Sequence, residues 1–456
     1  MCRAAMTKSM VTPLTSRKSD TPLSGTIMVP GDKSISHRAL MFGALSIGET
    51  IISGLLEGED VLATAAAMRA MGASIERGSD GLWRVHGTGI GGLHEPEKTL
   101  DMGNSGTSTR LLMGLIGAHG IEVRMRGDAS LSGRPMNRVI KPLEMMGGRF
   151  EASEGGRLPL TIHGTEEALP LEYRLPVASA QVKSAILLAG LNAAGRTTVI
   201  EEKPTRDHTE NMLRHFGATV DIEDLEDGAQ AISVMGHQEL QPCAIDVPGD
   251  PSSAAFPAVA ALLSAGSELM ISNIGINERR FGLYETLIEM GADIEVLNKR
   301  DQGGEPVADL QIKASKLTGI DVPEARVPSM IDEFPVLAVA ASCAKGTTKM
   351  SGLAELRVKE SDRLLLMAEG LKACGVKLEM GADSLAIHGT GAAPRGLKEG
   401  GAPIKTALDH RIAMAFLVLG TATDEPITID DAAPIATSFP GFTTLMEDIG
   451  ADIRES

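Results

Sequence analysis

Aromatic residues, cysteine pairs and long apolar runs are all scarce in this chain of 456 residues. Aromatics make up only 3% of it, so a folded core must consist mainly of Ala, Leu, Ile, Val and Met. No apolar run reaches the roughly 18–20 residues that cross a bilayer. The best candidates, "AAFPAVAALLSAG" and "RIAMAFLVLG", have the length of buried helices. We therefore expect no association with a membrane.

Paired cysteines are also missing, since no C-x-x-C motif joins any of Cys2, Cys243, Cys343 and Cys374. This spacing argues against structural zinc and is typical of a reduced protein, so we expect a cytoplasmic location. His208 and His215 lie seven positions apart without a nearby third ligand, and no metal site is predicted from them.

Positive charge is in deficit, because 43 Lys and Arg stand against 60 Asp and Glu. The net charge of −17 excludes a broad nucleic-acid-binding face but permits a local site for a small anion. The segment from Met1 to Asp20 is different, since Asp20 is its single acid. It weakly resembles a transit peptide but is short and lacks an apolar stretch, so a frayed tail is the favoured interpretation.

A structural unit repeats along the chain. A helix, a bulky residue, a glycine and a strand follow one another six times, at Gly72, Gly147, Gly217, Gly291, Gly375 and Gly450. These six positions are almost evenly spaced. Each falls where a helix ends and left-handed backbone favours a residue without Cβ. The pattern predicts six units, each reading strand, buried helix, strand, amphipathic helix, strand, strand.

The phrase Val-Pro-Gly-Asp occurs twice, in "VPGDKSISHR" from Val29 and in "VPGDPSSAAF" from Val247. The second copy follows the first after the length of three such units. We therefore predict two domains, one from residues 1–27 and 247–456 and the other from residues 28–246. In this interpretation "LSGT", just before residue 28, is a strand that completes the later half. The chain passes between the two domains near residues 28 and 246, and these two crossings form the hinge.

Polar and cationic residues cluster where the apolar helices begin, as in "DKSISHR", "NSGTST", "SAQVK" and "LDHR". Helix N-termini carry unpaired N–H groups and a partial positive charge, so they attract anions. If the helices of each half start on one side, three termini from each half face a shared interdomain cleft. Taken singly, such a lysine or arginine is usually a solvated charge and such a serine an N-cap. Their joint occurrence in equivalent units favours a site for several phosphate or carboxylate groups.

Eight motifs carry a family resemblance: "VPGDKSISHRA", "GNSGTSTRLL", "GRPM", "ASAQVKSA", "TRDHTE", "SMIDEFP", "LRVKESDRL" and "LDHRIAMAF". Together, over nearly the whole chain, they resemble the 5-enolpyruvylshikimate-3-phosphate synthases, and "GDKS", "SAQVK" and "RDHTE" are similar to the class II bacterial branch. The resemblance implies an α/β (α+β) fold, a two-domain inside-out α/β barrel with three βαβαββ repeats in each domain, the enolpyruvyl transferase fold.

The resemblance also implies a reaction of the shikimate pathway, which leads to chorismate and the aromatic amino acids. Phosphoenolpyruvate reacts with the 5-hydroxyl of shikimate 3-phosphate by addition and elimination, and phosphate is released. No metal and no organic cofactor is implied. The substrates bring two phosphates and two carboxylates, which suits arginine-rich recognition. We expect a monomer.

Site residues follow position by position from the resemblance. Those implied for shikimate 3-phosphate are Lys33, Ser34, Arg38, Ser179, Ala180, Gln181, Arg206, Asp332 and Lys359. Those implied for phosphoenolpyruvate are Lys33, Gly106, Arg134, Gln181, Glu360, Arg363 and Arg411. The implied catalytic residues are Asp332, which takes the hydroxyl proton, and Glu360 and Lys33, the candidates for proton exchange at C3.

Two positions bear on the inhibitor glyphosate, which occupies the phosphoenolpyruvate space in this family. Gly106 leaves room for it, whereas the class II motifs favour tolerance. Thr437 to Pro440 stand where many relatives carry a lysine, another feature associated with class II. The two indications conflict, and the sequence predicts neither sensitivity nor tolerance.

Two other functions compete with this interpretation. A UDP-N-acetylglucosamine enolpyruvyl transferase would share the fold but is expected to carry a cysteine in a mobile-loop motif, which none of the four cysteines matches. A non-catalytic anion-binding repeat protein would have no need for Asp332, Glu360 and Lys33 together. An assay of phosphate release on mixing phosphoenolpyruvate and shikimate 3-phosphate distinguishes the three functions.

Overall fold

The computed structural model describes residues 12–456. Over this range the strands form six separate sheets of three or four strands each. One sheet belongs to each predicted unit, so the six-fold repeat is confirmed. In the same range, no helix combines the length and apolar character needed to span a membrane.

The first half of the chain holds two leading strands and three units. The strands are β1 (Leu14–Arg17) and β2 (Ser24–Ile27). The first unit comprises α1 (Lys33–Leu45), β3 (Glu49–Ser53), α2 (Glu59–Ala70), β4 (Ser74–Arg77) and β5 (Trp83–His86). The second comprises β6 (Leu100–Asp101), α3 (Gly106–Gly117), β7 (Glu122–Arg126), α4 (Ala129–Ser132), α5 (Asn137–Met145), β8 (Arg149–Ser153) and β9 (Arg157–His163). The third comprises β10 (Glu172–Arg174), α6 (Ala180–Gly190), β11 (Arg196–Glu201), α7 (His208–His215), β12 (Val220–Asp224) and β13 (Gln230–Met235).

The second half repeats this order. The fourth unit comprises β14 (Ala244–Asp246), α8 (Pro251–Leu263), β15 (Glu268–Gly275), α9 (Gly282–Glu289), β16 (Asp293–Gln302) and β17 (Glu305–Lys313). The fifth comprises α10 (Val327–Met330), α11 (Phe334–Cys343), β18 (Lys345–Met350), α12 (Arg363–Ala373), β19 (Lys377–Met380) and β20 (Leu385–Thr390). The sixth comprises α13 (His410–Gly420), β21 (Ile427–Ile429), α14 (Phe442–Asp448) and β22 (Asp452–Glu455). Short 3₁₀ turns lie at Glu324–Arg326, Ala354–Val358 and Ala433–Thr437.

The repeated glycine ends one helix in every unit. All six have positive φ angles, from +83° at Gly217 to +109° at Gly72. Each lies two positions beyond the last residue of its helix, where the chain turns into a strand. A side chain at these positions would strain the left-handed backbone, which explains why glycine recurs there.

The two Val-Pro-Gly-Asp segments mark the points where the chain changes sheets. Strand β2 precedes the first unit yet pairs in parallel with β15 of the fourth. Strand β14 precedes the fourth unit yet pairs in parallel with β3 of the first. The segment "LSGT" therefore contributes a strand to a sheet of the later half, as expected from the sequence. The two Val-Pro-Gly-Asp segments meet where Gly31 and Gly249 form an antiparallel bridge.

The N-terminal segment is not a frayed tail over the residues that the structure describes, and that prediction is wrong for them. Strand β1 is the central strand of the last sheet, with antiparallel pairing to β21 on one side and β22 on the other. Leu14, Thr15 and Ser16 are buried. The part of the expectation that concerns residues 1–11 lies outside the described residues.

Two units of the later half have a reduced first strand. In the fifth unit only isolated parallel bridges remain, Thr318 with Lys345 and Asp321 with Lys349. In the sixth unit a single bridge joins Ile404 and Ile429. The last two units therefore keep the repeat's order but not its full strand content.

Two large hydrophobic cores hold the molecule together. Core I is built from residues between Ile35 and Val247. Core II combines Leu14, Leu23 and Val29 with residues between Ala254 and Ile453. The apolar helices lie at their centres, and α13 is buried along its whole length. The helices are apolar on all sides because sheets and helices surround them.

Candidate active site

A cleft of about 570 Å³ lies between elements of the two cores. Its lining includes the start of each apolar helix: Lys33 of α1, Gly106 of α3, Ala180 of α6, Asp250 before α8, Asp332 before α11 and His410 of α13. Six helix N-termini, each with a partial positive charge, therefore lie around one space. The anion-binding interpretation requires this arrangement.

Charged side chains dominate the cleft. The cations that line it are Lys33, Arg110, Arg134, Arg138, Lys203, Arg206, Arg280, Lys359, Arg363 and Arg411. The acids are Asp60, Glu202, Asp250, Glu324, Asp332, Glu355 and Glu360. Ten cations against seven acids make the cleft net positive, although the whole chain carries −17. Small polyanions are the ligands that such a local field favours.

Nearly all of the predicted site residues come together here. Those that line the cleft are Lys33, Ser34, Gly106, Arg134, Ser179, Ala180, Gln181, Arg206, Asp332, Lys359, Glu360, Arg363 and Arg411. Arg38 is the exception, since it is not part of the lining.

Arg38 lies behind the first turn of α1. Its Nε donates to Thr209 Oγ1 at 2.7 Å, Nη2 to Ser184 Oγ at 2.8 Å and Nη1 to the Ser34 carbonyl at 2.9 Å. Burial lowers the pKa of this guanidinium to about 10, although the charge of Glu210 opposes the shift. In this structure Arg38 holds α1, α6 and α7 together, and its contact with shikimate 3-phosphate stays a prediction.

Asp332 is held by cations from both cores. Arg206 of core I donates to its Oδ2 at 2.6 Å, while Lys359 lies 3.3 Å and Arg363 3.2 Å from its Oδ1. Arg411 Nη1 donates to its backbone carbonyl at 3.1 Å. Burial raises the pKa of this carboxyl, but the surrounding cations outweigh that effect and hold it well below its ordinary value.

Glu360 forms the second carboxylate of the cleft. It contacts Arg363 three positions further along the chain, and Arg134 of core I lies 3.6 Å away. Burial raises its pKa, whereas the charges of Arg363 and Arg134 outweigh that effect and leave the pKa well below its ordinary value. Asp332 and Glu360 are therefore both ionised and both face cations from the opposite core.

Lys33, the first residue of α1, reaches the same space from the side of core I. Its Nζ donates to Asp60 Oδ2 at 3.3 Å, and its side chain is 17% exposed. Burial raises the pKa of Asp60, which the charge of Lys33 partly offsets. The backbone N–H of Lys33 donates to Asp250 Oδ2 at 3.3 Å, which links the start of α1 to the second Val-Pro-Gly-Asp segment.

The start of α6 supplies a polar edge. Ser179 caps this helix, because its side chain accepts from the Val182 N–H. Gln181 is fixed at both ends of its amide: Arg110 donates to Oε1 at 2.5 Å, and Nε2 donates to Thr107 Oγ1 at 2.9 Å. Burial lowers the pKa of Arg110 to about 10.

Sequence reasoning missed Asp60, Arg110 and Arg280, which also line the cleft. Arg110 gave a usable signal, since an arginine within the apolar run of α3 is unusual for a buried helix. Asp60 and Arg280 stand in the polar segments "EGED" and "NERR", which resemble solvated turns.

Within residues 12–456, no group of three or more His, Cys, Asp or Glu side chains is arranged to hold a metal ion. His208 Nδ1 pairs with Glu305 at 2.8 Å, and His215 Nε2 lies 3.2 Å from the Ala244 carbonyl. Both histidines thus have protein partners.

Comparisons with known proteins identify the chain's relatives. Residues 18–446 match the family described as EPSP synthase (3-phosphoshikimate 1-carboxyvinyltransferase). The chain belongs to the EPSP synthase family. A 3-phosphoshikimate 1-carboxyvinyltransferase from Parvibaculum lavamentivorans is 62% identical over 94% of this chain and 94% of its own length. One from Paramagnetospirillum magneticum is 60% identical over 97% and 98%.

Solved structures of the family agree. EPSP synthase from Acinetobacter baumannii has a TM-score of 0.85 and 47% identity, over 98% of this chain and 100% of its own. The enolpyruvyl transferase NikO from Streptomyces tendae has a TM-score of 0.76 at 19% identity over 98% of this chain, which shows the shared fold alone. The predicted two-domain α/β enolpyruvyl transferase fold and the prediction of a shikimate-pathway transferase are confirmed.

Proposed function

We propose that this chain transfers the enolpyruvyl group of phosphoenolpyruvate to the 5-hydroxyl of shikimate 3-phosphate. Its relatives at about 60% identity are 3-phosphoshikimate 1-carboxyvinyltransferases over nearly their full length. The observation that carries the proposal is the cleft itself, where Asp332, Glu360 and Lys33 come from both cores and lie among cations. The shikimate oxygen adds to C2 while C3 gains a proton. C3 then loses a proton, the C2–O bond to phosphate breaks, and inorganic phosphate leaves.

Asp332 accepts the proton of the 5-hydroxyl in this proposal. Three cations contact its carboxylate, so it is ionised and ready to accept. The low pKa of Asp332 makes it a weak base as long as no substrate is bound to those cations. A substrate phosphate or carboxylate that pairs with Arg206 or Lys359 neutralises part of their positive charge. The pKa of Asp332 then rises toward the range of a useful base.

Proton exchange at C3 falls to Lys33 and Glu360. Lys33 carries protons on its ammonium group, whereas Glu360 is a carboxylate that must first accept one. Phosphoenolpyruvate bound to Arg134 and Arg363 weakens the two charges that depress the pKa of Glu360. Lys33 therefore suits protonation during addition, and Glu360 suits proton removal during elimination.

The remaining assignments follow the charges of the cleft. We propose that shikimate 3-phosphate contacts Lys33, Ser34, Arg38, Ser179, Ala180, Gln181, Arg206, Asp332 and Lys359. We propose that phosphoenolpyruvate contacts Lys33, Gly106, Arg134, Gln181, Glu360, Arg363 and Arg411. Arginine predominates around the second ligand because its planar fork matches carboxylate and phosphate oxygens.

The assignment of Asp332 is tested by Asp332→Asn. Asparagine keeps the shape but cannot take a proton, so we expect phosphate release to fall about 100- to 10,000-fold, the usual contribution of a general base. The affinity for shikimate 3-phosphate should stay equal or rise, because one negative charge near an anion is removed. Turnover is followed by phosphate release and affinity by calorimetry.

Asp424→Asn serves as the control, since this carboxylate is 84% exposed and pairs with Lys18 outside the cleft lining. It should retain full activity. A wild-type enzyme that binds both substrates without releasing phosphate would instead favour a non-catalytic binding protein, and full activity of Asp332→Asn would remove this residue from the mechanism.

We further propose that glyphosate binds in the phosphoenolpyruvate part of the cleft beside Gly106. A Cβ atom at this position would lie only 3.0 Å from Arg134 Nη1 but at an ordinary contact distance of 3.5 Å from Arg110 Nη1, so glycine leaves the Arg134 guanidinium undisturbed. We also propose that the chain belongs to the class II branch, on its "GDKS", "SAQVK" and "RDHTE" motifs. A glyphosate titration at fixed phosphoenolpyruvate distinguishes a sensitive from a tolerant enzyme.

We propose that one domain comprises residues 1–27 and 247–456 and the other residues 28–246, with the active site between them. The two large cores and the exchange of β2 and β14 support this division. We propose a monomer, since one chain supplies all the residues assigned above. We also propose a cytoplasmic location, in keeping with the free thiols of Cys243, Cys343 and Cys374.

A further inference from the structure

One buried arginine joins the two chain crossings. Arg280 is 3% exposed and follows β15 in the fourth unit. Its Nη1 lies 3.3 Å from Asp32 Oδ2 of the first Val-Pro-Gly-Asp segment. Its Nη2 donates to Asp250 Oδ1 of the second segment at 3.0 Å and to Ser252 Oγ at 2.7 Å. The two ends of a single guanidinium therefore hold both crossings at once.

Both aspartates also set the start of a helix. Asp32 caps α1, since its Oδ1 accepts from the Ile35 N–H at 2.9 Å. Asp250 caps α8 by accepting from the Ser252 N–H at 2.8 Å, and its Oδ2 accepts from the Lys33 N–H. The residue that begins α1 is thus oriented by one aspartate from each crossing, and Arg280 fixes both aspartates.

The same arginine is connected to the catalytic carboxylate of core II. Ser252, which accepts from Arg280, donates its hydroxyl to Glu333. Glu333 follows Asp332 directly, is 3% exposed and lies 3.5 Å from Arg411 Nη1. A continuous set of contacts therefore runs from the start of α1 to the start of α11.

We propose that Arg280 is a positioning residue that sets Lys33 of core I relative to Asp332 of core II. It acts through Asp32 and Asp250 on one side and through Ser252 and Glu333 on the other. The inference rests on the proposed function. A displacement of about 1 Å between reacting groups can cost roughly 100-fold in rate, so a rigid fork at the crossings affects turnover more than substrate binding.

The test compares Arg280→Lys with Arg280→Gln. Lysine keeps the charge but loses the planar fork, and glutamine loses both. We expect folded variants in which kcat falls at least tenfold while the KM for each substrate changes less than threefold, with lysine no better than a partial rescue. Phosphate release gives kcat and KM, and circular dichroism confirms folding. Unchanged kcat, or a fall in kcat equal to the folded fraction lost, overturns the proposal.

Arg300→Lys is the control, at an arginine whose side chain is 40% exposed. This arginine also contacts several groups, with its Nη2 2.5 Å from Asn273 Oδ1 and its Nη1 2.9 Å from the Asn298 carbonyl, but it does not line the cleft. It should keep wild-type kcat and KM. A tenfold loss of kcat in this control would mean that any such change to a multiply bonded arginine slows turnover, and the special role of Arg280 would be lost.

A second measurement keeps the proposal testable if both Arg280 variants fail to fold. Asp32→Asn and Asp250→Asn retain a capping side chain but remove the charge that Arg280 binds. Each should lower kcat with little change in KM, and the double variant should be no slower than the slower single variant, because both act through one arginine. Multiplicative losses in the double variant overturn the proposal.

The controls also separate this inference from the proposed function. If the wild-type chain releases no phosphate from the two substrates, the proposed function fails. If the wild type is active but all Arg280, Asp32 and Asp250 variants keep its kcat, only the positioning role fails.

Discussion

Single residues in the cleft are fixed by contacts with the opposite core. Arg206 of core I meets Asp332 of core II at 2.6 Å, and Arg134 lies 3.6 Å from Glu360. Each carboxylate is thereby kept ionised in a partly buried place, where an unpaired charge would be costly. The proposed catalytic groups come from both cores together, and neither core holds a complete set.

One methyl group at Gly106 tests how closely the proposed phosphoenolpyruvate site fits its ligand. In Gly106→Ala the new Cβ would lie 3.0 Å from Arg134 Nη1, so this guanidinium must shift by a few tenths of an ångström. We expect normal folding, because the residue begins α3 in an ordinary helical conformation. The KM for phosphoenolpyruvate and the inhibitory concentration of glyphosate should both rise roughly tenfold.

Steady-state kinetics with each substrate varied in turn checks this expectation. The KM for shikimate 3-phosphate should change little, since the methyl group crowds Arg134, which is assigned to phosphoenolpyruvate, and meets Arg110 at an ordinary 3.5 Å. Equal increases in both KM values would mean that the substitution disturbs the whole cleft and would contradict the assignment of Gly106 to one ligand.

At the scale of the element, the starts of the apolar helices were predictable and the directions of their side chains were not. The opening of α1 in "DKSISHR" marked Lys33 and Arg38 equally as ligands. They lie five positions apart on one helix, and Arg38 turns back to the Ser34 carbonyl and to α6 and α7. The partners on α6 and α7 are distant in sequence, so no local pattern distinguishes Lys33 from Arg38.

Strand β1 shows the same limit for a whole element. Four residues with no distinctive pattern carry little signal, and their partners in β21 and β22 lie at the opposite end of the chain. In contrast, the six helix-ending glycines gave the repeat because a left-handed turn is a local requirement. Local requirements can be deduced from the sequence, whereas distant pairing depends on the assembled fold.

Helices α3 and α6 are close enough that one glycine decides their separation. A Cβ at Gly114 would lie 2.8 Å from Ala185 Cα and in still closer contact with its carbonyl oxygen. Gly114→Ala should force the helices apart and lower the free energy of unfolding by about 1–3 kcal/mol. Activity should fall as well, because the two helices present Gly106 and Gln181 to the cleft.

Gly117→Ala is the matched control on the same helix, where the new Cβ would lie 3.4 Å from Phe150 in ordinary contact. Alanine is the better helix former, so stability should be unchanged or rise by up to about 1 kcal/mol. Urea denaturation of both variants measures the difference. Equal stability of the two alanine variants would show that α3 and α6 can separate without cost.

At the scale of the whole molecule, three buried histidines should make the folded state less stable at acidic pH. The pKa values of His37, His119 and His410 are lowered, chiefly by burial and, for His37 and His410, also by the charge of Lys33. Each group takes up a proton near its ordinary pKa of 6.5 when unfolded, but only at a lower pH when folded. The unfolded state therefore binds more protons, and the free energy of unfolding falls as the pH drops below about 6.5.

His37→Asn should remove one such group without touching the cleft lining, since His37 is fully buried against Thr64 and Ser108. We expect the loss of stability between pH 6.5 and 5 to become shallower by up to about 1.4 kcal/mol per pH unit. Denaturation at several pH values measures the slope. Identical slopes for wild type and His37→Asn would contradict the expectation.

The exchange of β2 and β14 has a consequence for how the protein is made. A ribosome finishes residues 28–247, and with them β14 and all of core I, when little more than half of the chain exists. Strands β1 and β2 leave the ribosome before the other described strands, but their partners β15, β21 and β22 are synthesised much later. Strand β1 therefore stays unpaired for most of translation, and the cleft cannot be complete before Arg411, the last of its lining residues, has been synthesised.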